Sequence, residues 1–239
     1  MTASPYKVFL SLYAFNYVSR LKDNLKVYAA PILPKMKTSG RVLYYHYVFP
    51  ENYRNFTKQI EYFKNTGFTN LDGDPQKFCV TFDDTYKLNI PVYEYLIKQN
   101  IPLTIFISPK AVSEQLDIYH GSKLKQLTIE DLHYLIELGV TIGNHTYEHG
   151  RYETPKEFIA DTIRAQNWIY ENLNVMPEHV AFPRGEEFQL SSSEWETLRK
   201  IGIKSALGTQ RFVRDTNILG RHHIMPHWPT KTLEYFFGI

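Results

Sequence analysis

What most limits the folds open to this chain is a regular alternation of short apolar runs with amphipathic segments. The runs fall at Arg41–Val48, residues 78–82, Leu103–Ile107, Gly139–Asn144, His179–Phe182, Lys204–Leu207 and near Ile218–Met225. Their length and their β-branched and aromatic content suit buried strands. Between them the spacing predicts helices over 53–65, stopped by Gly67, and over 88–99. Another helix opens at the cap Thr128 and ends at Gly139. A capping box, Thr154-Pro155-Lys156-Glu157, starts a long helix to about Leu173, and Ser193 caps one more. Lys110 to Gln126 has no strong pattern and reads as a polar connection, part of a cleft rim. Strands that alternate with helices in this way form a parallel sheet, and this many units favour closure into a barrel. Chemistry then gathers at the C-terminal ends of the strands.

The run at 78–82 ends in two adjacent carboxylates, Asp83 and Asp84. Two carboxylates held close together need a cation between them or one strongly shifted pKa. An Asp pair after a strand is also ordinary turn or cap chemistry, so a second stretch has to decide. His145-Thr146-Tyr147-Glu148-His149 lies just past the run Gly139–Asn144 and carries two imidazoles four positions apart. Those rings can reach one ion, and one carboxylate from the first stretch completes a trio that leaves positions for water and substrate.

These stretches resemble the polysaccharide deacetylases with a NodB homology domain, carbohydrate esterase family four. Thr81-Phe82-Asp83-Asp84 is similar to that family's first motif and His145-Thr146-Tyr147-Glu148-His149 to its second. Residues 101–107 resemble the next strand, Ala181-Phe182-Pro183-Arg184-Gly185 a variant of the third motif, and 202–207 a later strand, in the family's order over about 41–226. The resemblance implies an α/β fold, a distorted parallel (β/α) barrel with about seven strands, with an N-terminal helical extension over 1–40 and a catalytic domain over 41–239. It implies hydrolysis of the acetamide of an N-acetylated sugar, an N-acetylglucosamine-type glycan or glycoconjugate. Asp84, His145 and His149 would hold a divalent ion, zinc by default, with nickel, cobalt or iron suited to the same ligands. Asp83 would be the general base, and a backbone N–H after Pro183, that of Arg184, would stabilise the oxyanion. Tyr44-Tyr45-His46 matches a circularly permuted branch whose catalytic acid sits in such a stretch, which points to His46; His222, His223 and His227 are alternatives. Two departures stand out. Thr85 replaces the usual glycine after the Asp pair and could narrow the cleft floor. Ala181 stands where many relatives carry an Arg that orients the base, so either this variant of the motif manages without it or Arg184 or Arg221 substitutes.

Composition narrows the alternatives. With 239 residues and 43% hydrophobic content the chain can bury one substantial α/β core. A net charge of +2, from 27 basic and 25 acidic residues, offers no bulk field for nucleic acid. The single Cys79 excludes an internal disulfide, fits a reducing compartment and reads as a buried strand residue. Residues 8–28 carry Phe9, Leu12, Tyr13, Tyr17, Leu21 and Leu25 at helical spacing, with one preceding Lys and no cleavage site close behind. They read either as a helix packed on the domain or on a second subunit, or as a membrane-surface helix. With no recognisable signal peptide, the expectation is a cytoplasmic protein, membrane-associated if that helix lies on a surface. A haloacid-dehalogenase phosphatase is excluded because its acids are spaced Asp-x-Asp. The remaining rival is a non-catalytic glycan-binding or structural member of the same fold, which would be expected to lose a ligand or the base; Asp83, Asp84, His145 and His149 are all present.

Overall fold

The structure, a computed structural model, describes residues 41–116, 124–209 and 217–238. The expectations for residues 1–40 lie outside the described residues. Seven strands form a closed barrel in chain order: β1 (Val42–Tyr45), β2 (Cys79–Asp83), β3 (Leu103–Ile107), β4 (Thr141–Asn144), β5 (His179–Ala181), β6 (Ser205–Gly208) and β7 (Ile218–His223). Every pairing is parallel, and β7 closes on β1 with Tyr44 opposite His223. The distorted seven-stranded parallel barrel expected from the sequence is the fold observed.

Strand periodicity sorts the side chains into an outer and an inner set. Leu43, Tyr45, Val80, Phe82, Ile105 and Ile107 point outward into the main apolar core beneath the helices. Each such buried side chain contributes roughly 1.5–3 kcal/mol over its exposed state. The alternate positions Val42, Cys79, Phe106, Ala181 and Leu207 form a small separate cluster, joined by the half-buried Leu219. Two residues further along β1, β2 and β7 the inner positions turn polar, with Tyr44, Thr81 and Arg221, and then with His46, Asp83 and His223. Along β1, β2 and β7 the inner face therefore runs from apolar at the N-terminal end to ionisable at the C-terminal end, with Phe106 of β3 level with Asp83. Cys79 belongs to the apolar end, and burial, with Asp72 nearby, pushes its thiol up to about 12.

The helices fit the predicted segments, with corrections. α1 (Tyr53–Lys64) and α2 (Ile90–Lys98) lie where expected, the latter behind a 3-10 turn at Lys87–Asn89. Capping boxes at Thr128 and Thr154 open α4 (Ile129–Glu137) and α5 (Pro155–Leu173). Within the stretch read as a patternless connection, Pro109–Glu114 forms a short helix, α3, entered through Pro109 at its first position; residues 117–123 lie outside the described residues. The cap of α6 (Ser192–Lys200) is Ser191, not Ser193: Ser191 Oγ accepts from the Glu194 N–H, and Glu194 reciprocates at the third helical position. A C-terminal helix that sequence reading missed, α7 (Thr230–Phe237), lays Phe237 against Phe63, Phe78 and His222. No helix among the described residues is long and apolar enough to cross a membrane.

Candidate active site

Adjacent residues of an extended strand point to opposite faces, so two neighbouring acids would normally part company. Here Asp83 is the last residue of β2 and faces the barrel interior, while Asp84 leaves the strand in the left-handed region, at φ 60°. That turn brings its carboxylate back beside its neighbour: His145 Nε2 lies 3.9 Å from Asp83 Oδ2 and 3.7 Å from Asp84 Oδ1. Thr146, His149 and Arg184 are also left-handed, at φ 61°, 51° and 58°. Such conformations cost about 1–3 kcal/mol each in non-glycine residues, so their clustering in the three site loops marks a place where geometry overrides local preference.

The loop after β4 is tied down at many points. His145 N–H donates to the Ile107 carbonyl at 2.9 Å, and Ser108 Oγ donates to the His145 carbonyl at 3.0 Å. Asn144, fully buried, accepts from the Thr146 N–H at 2.8 Å while its amide nitrogen bonds to Thr162 O and Gln166 Oε1 on α5. The Tyr152 hydroxyl bridges Thr146 and Asp161 at 2.7 and 2.6 Å, and Asp161 also accepts from the Glu148 N–H. Gly143 leaves room underneath, since a Cβ there would come within 2.4 Å of the Phe106 ring.

Asp84, His145 and His149 are buried, and their donor atoms all lie within 4.8 Å of one another. His145 Nδ1 stands 2.9 Å from the Ala181 carbonyl, an acceptor only, so this nitrogen carries the hydrogen and Nε2 presents a lone pair. That lone pair faces the Asp84 carboxylate, and His149 Nε2 approaches the same oxygen to 3.2 Å. Lone pair against carboxylate is unfavourable unless a cation lies between them, and the donor set of two imidazoles and one carboxylate fits a borderline divalent ion. His46 joins from β1, its Nε2 3.8 Å from Asp84 Oδ2 and its Nδ1 3.2 Å from His223 Nε2.

Of the two arginines weighed as partners of Asp83, Arg221 is the one that holds it. Reaching from β7, it grips Asp83 with both Nη atoms, at 2.7 and 2.8 Å, and donates from Nε to the Gly208 carbonyl at 3.3 Å. It is fully buried, with its guanidinium 4.5 Å from the Tyr44 ring centroid and 5.4 Å from that of Phe106. Burial alone would push the Asp83 carboxyl up; Arg221, and then His145, outweigh it and hold the group well below its ordinary value. The Arg184 side chain, the other candidate, is exposed and does not hold Asp83; Pro183 is buried beneath it in the turn Pro183–Gly185 that follows β5. Thr85, in the place of the usual glycine, is buried and its hydroxyl donates to Gln126 Oε1 at 3.0 Å. Among the alternative histidines His223 meets His46, whereas His222, one position out of phase, packs on Phe237.

Burial draws the site imidazoles down. His46 falls to about 3, with His223 the next cause, and His145 and His149 also lie below the ordinary 6.5. The unfolded chain titrates these rings near their ordinary value, so on acidification it takes up protons that the folded chain refuses, and stability falls as pH falls. Chelator-treated protein is therefore expected to lose stability as pH falls through about 6.5, by at most about 1.4 kcal/mol per pH unit for each ring that stays uncharged in the folded chain. Thermal melts from pH 7 to about 5 check this; a flat or rising Tm over that range would contradict it.

Comparison with known proteins places the fold. Among solved structures, IcaB from Ammonifex degensii superimposes with a TM-score of 0.67 at 21% identity, over 84% of this chain and 99% of that one. The Streptococcus pyogenes deacetylase PplD, solved with acetate, gives 0.62 at 17% identity over 85% and 98%. A de-N-acetylase from Aggregatibacter actinomycetemcomitans gives 0.60 at 17% identity over 82% and 98%. A search of curated protein sequences finds no match. A sequence model of the polysaccharide deacetylases matches residues 71–206, more than half of the chain and every site stretch except those of β1 and β7, and the chain belongs to that family.

Proposed function

We propose that this chain is a metal-dependent N-deacetylase that hydrolyses the acetamide of an N-acetylated sugar, of the N-acetylglucosamine type. Family membership supports the reaction class, and the observation that carries the metal is the Nε2 lone pair of His145, turned onto Asp84 by the bond from Nδ1 to Ala181. Asp84, His145 and His149 would hold the ion, zinc by default for this donor set. When bound there, a divalent ion polarises the acetyl carbonyl and makes water acidic enough for a weak base to deprotonate.

The weak base is Asp83. Arg221 keeps it anionic and fixes its carboxylate plane, so it takes a proton from water as the water oxygen adds to the acetyl carbon. The Arg184 N–H, in the turn after Pro183, is assigned to the oxyanion that forms. As the carbon–nitrogen bond breaks, His46 gives a proton from Nε2 to the departing nitrogen, and acetate and a free amine result. His46 rests uncharged because burial holds it near 3. Negative charge developing beside the ring during water addition draws a proton from solvent onto Nε2, which passes it to the departing nitrogen, and Asp83 returns the proton it took to solvent as acetate leaves.

Acetate release from N-acetylglucosamine oligosaccharides tests the reading. The protein is expected to release acetate, to stop after chelation and to recover when a divalent ion is restored. Amine appearance should match acetate mole for mole. A well-folded, metal-loaded protein that releases neither would favour the non-catalytic glycan-binding reading.

A further inference from the structure

The closing pair of strands brings two histidines from opposite ends of the described chain into contact. β1 and β7 run side by side with Tyr44 opposite His223, and His46 follows two residues later, so the end of β1 carries His46 over the end of β7. His46 Nδ1 meets His223 Nε2 at 3.2 Å, with the ring planes at 81°. The His223 ring lies flat on Tyr44, with centroids 4.7 Å apart and planes at 16°, while Tyr44 meets His46 edge-on at 5.5 Å. The backbone around His46 is fixed separately: Asn89 donates to the His46 carbonyl at 2.7 Å and accepts from the Val48 N–H at 2.9 Å. One imidazole nitrogen therefore contacts His223, and the other, Nε2, faces Asp84.

Resting on the reading of His46 as the proton donor, we propose that His223 is its positioning residue, holding Nδ1 so that Nε2 stays turned to the departing nitrogen. Between two imidazole nitrogens there is room for one hydrogen. When His46 carries both hydrogens, the one on Nδ1 is donated to the Nε2 lone pair of His223 and the one on Nε2 is free to leave. After Nε2 has handed its proton to the amine, neutral His46 keeps the Nδ1 hydrogen in the same bond, so the contact persists on both sides of the transfer and the ring need not turn. An uncharged acceptor does this without adding negative charge beside Asp83 and Asp84, as a carboxylate would. Tyr44, stacked beneath, holds His223 in line.

The test separates a proton-donating step from general damage through the leaving group. A sugar amide expels an amine that must be protonated, whereas 4-nitrophenyl acetate expels a phenolate that need not be. His223→Ala is expected to lower kcat for N-acetylglucosamine oligosaccharides by about 10- to 100-fold at unchanged KM, to slow the aryl ester far less, and to keep its metal. His223→Gln, whose Oε1 can accept from Nδ1, should recover most of the loss. Equal slowing of both substrates, or of neither, in His223→Ala while His46→Ala slows the amide selectively would overturn the role of His223 and leave that of His46 standing. An amide rate unchanged in His46→Ala would overturn both.

Discussion

Asp83→Asn is expected to slow acetate release by at least about a hundredfold while leaving the metal in place. An amide keeps the shape of the carboxylate but cannot take the proton from water, so water addition loses its base. On the proposed mechanism the ion would keep Asp84, His145 and His149, which the substitution does not touch. The same change leaves Arg221 facing a neutral partner inside the barrel, so a lower Tm is part of the expected result. Steady-state kinetics on protein shown by circular dichroism to be folded, with metal content measured on the same sample, reads both halves. Turnover within a few-fold of wild type would remove Asp83 from the mechanism.

Arg221→Met should have the largest effect on stability of any single change at the site. Arg221 is fully buried, its charge is matched by the Asp83 carboxylate, and its fork is bidentate. Removing one partner of a buried pair leaves the other as an uncompensated charge, at a cost of about 3–5 kcal/mol. Total stabilities run to only about 5–15 kcal/mol, so this is a large fraction. Asp83 would escape part of the cost by protonating, which disables the base as well. Arg221→Lys keeps the charge but loses the planar fork and the contact with Gly208, and should fall between the two. Chemical denaturation of the three proteins orders them; a Met variant as stable as wild type would mean the pair is not the anchor its geometry describes.

The fold was legible because the barrel is built from local units. Each strand is a short apolar run with its own punctuation, and Thr128 and Thr154 announce their helices through side chains that bond three residues on. The misassigned cap of α6 shows how narrow such signals are: Ser191 and Ser193 each have a Glu three residues on, Glu194 and Glu196, and only the hydrogen bonds between Ser191 and Glu194 select the first. α3 was missed because six residues span too few turns to show a period, and α7 because it follows a proline-bounded loop close to the chain end. At the site, residue types and spacing were enough to bring one carboxylate of the Asp pair to His145 and His149, and the family resemblance pointed to Asp84, the one the structure clusters with them. What spacing could not show was the seam of the barrel. That Arg221 grips Asp83 across 138 residues, and that His223 meets His46 across 177, follows only from β7 closing on β1. Among the three candidates on β7, Arg221, His222 and His223, the alternation of strand faces then selects Arg221 and His223.

The most direct measurement of the central claim is metal stoichiometry, by elemental analysis, on wild type, Asp83→Asn and His145→Ala purified alike and reloaded from the same zinc buffer. The account predicts one tightly held ion per chain in the first two and loss of the ion, with loss of activity, in the third. Retention of the ion by His145→Ala, or its absence from folded wild type, would contradict it.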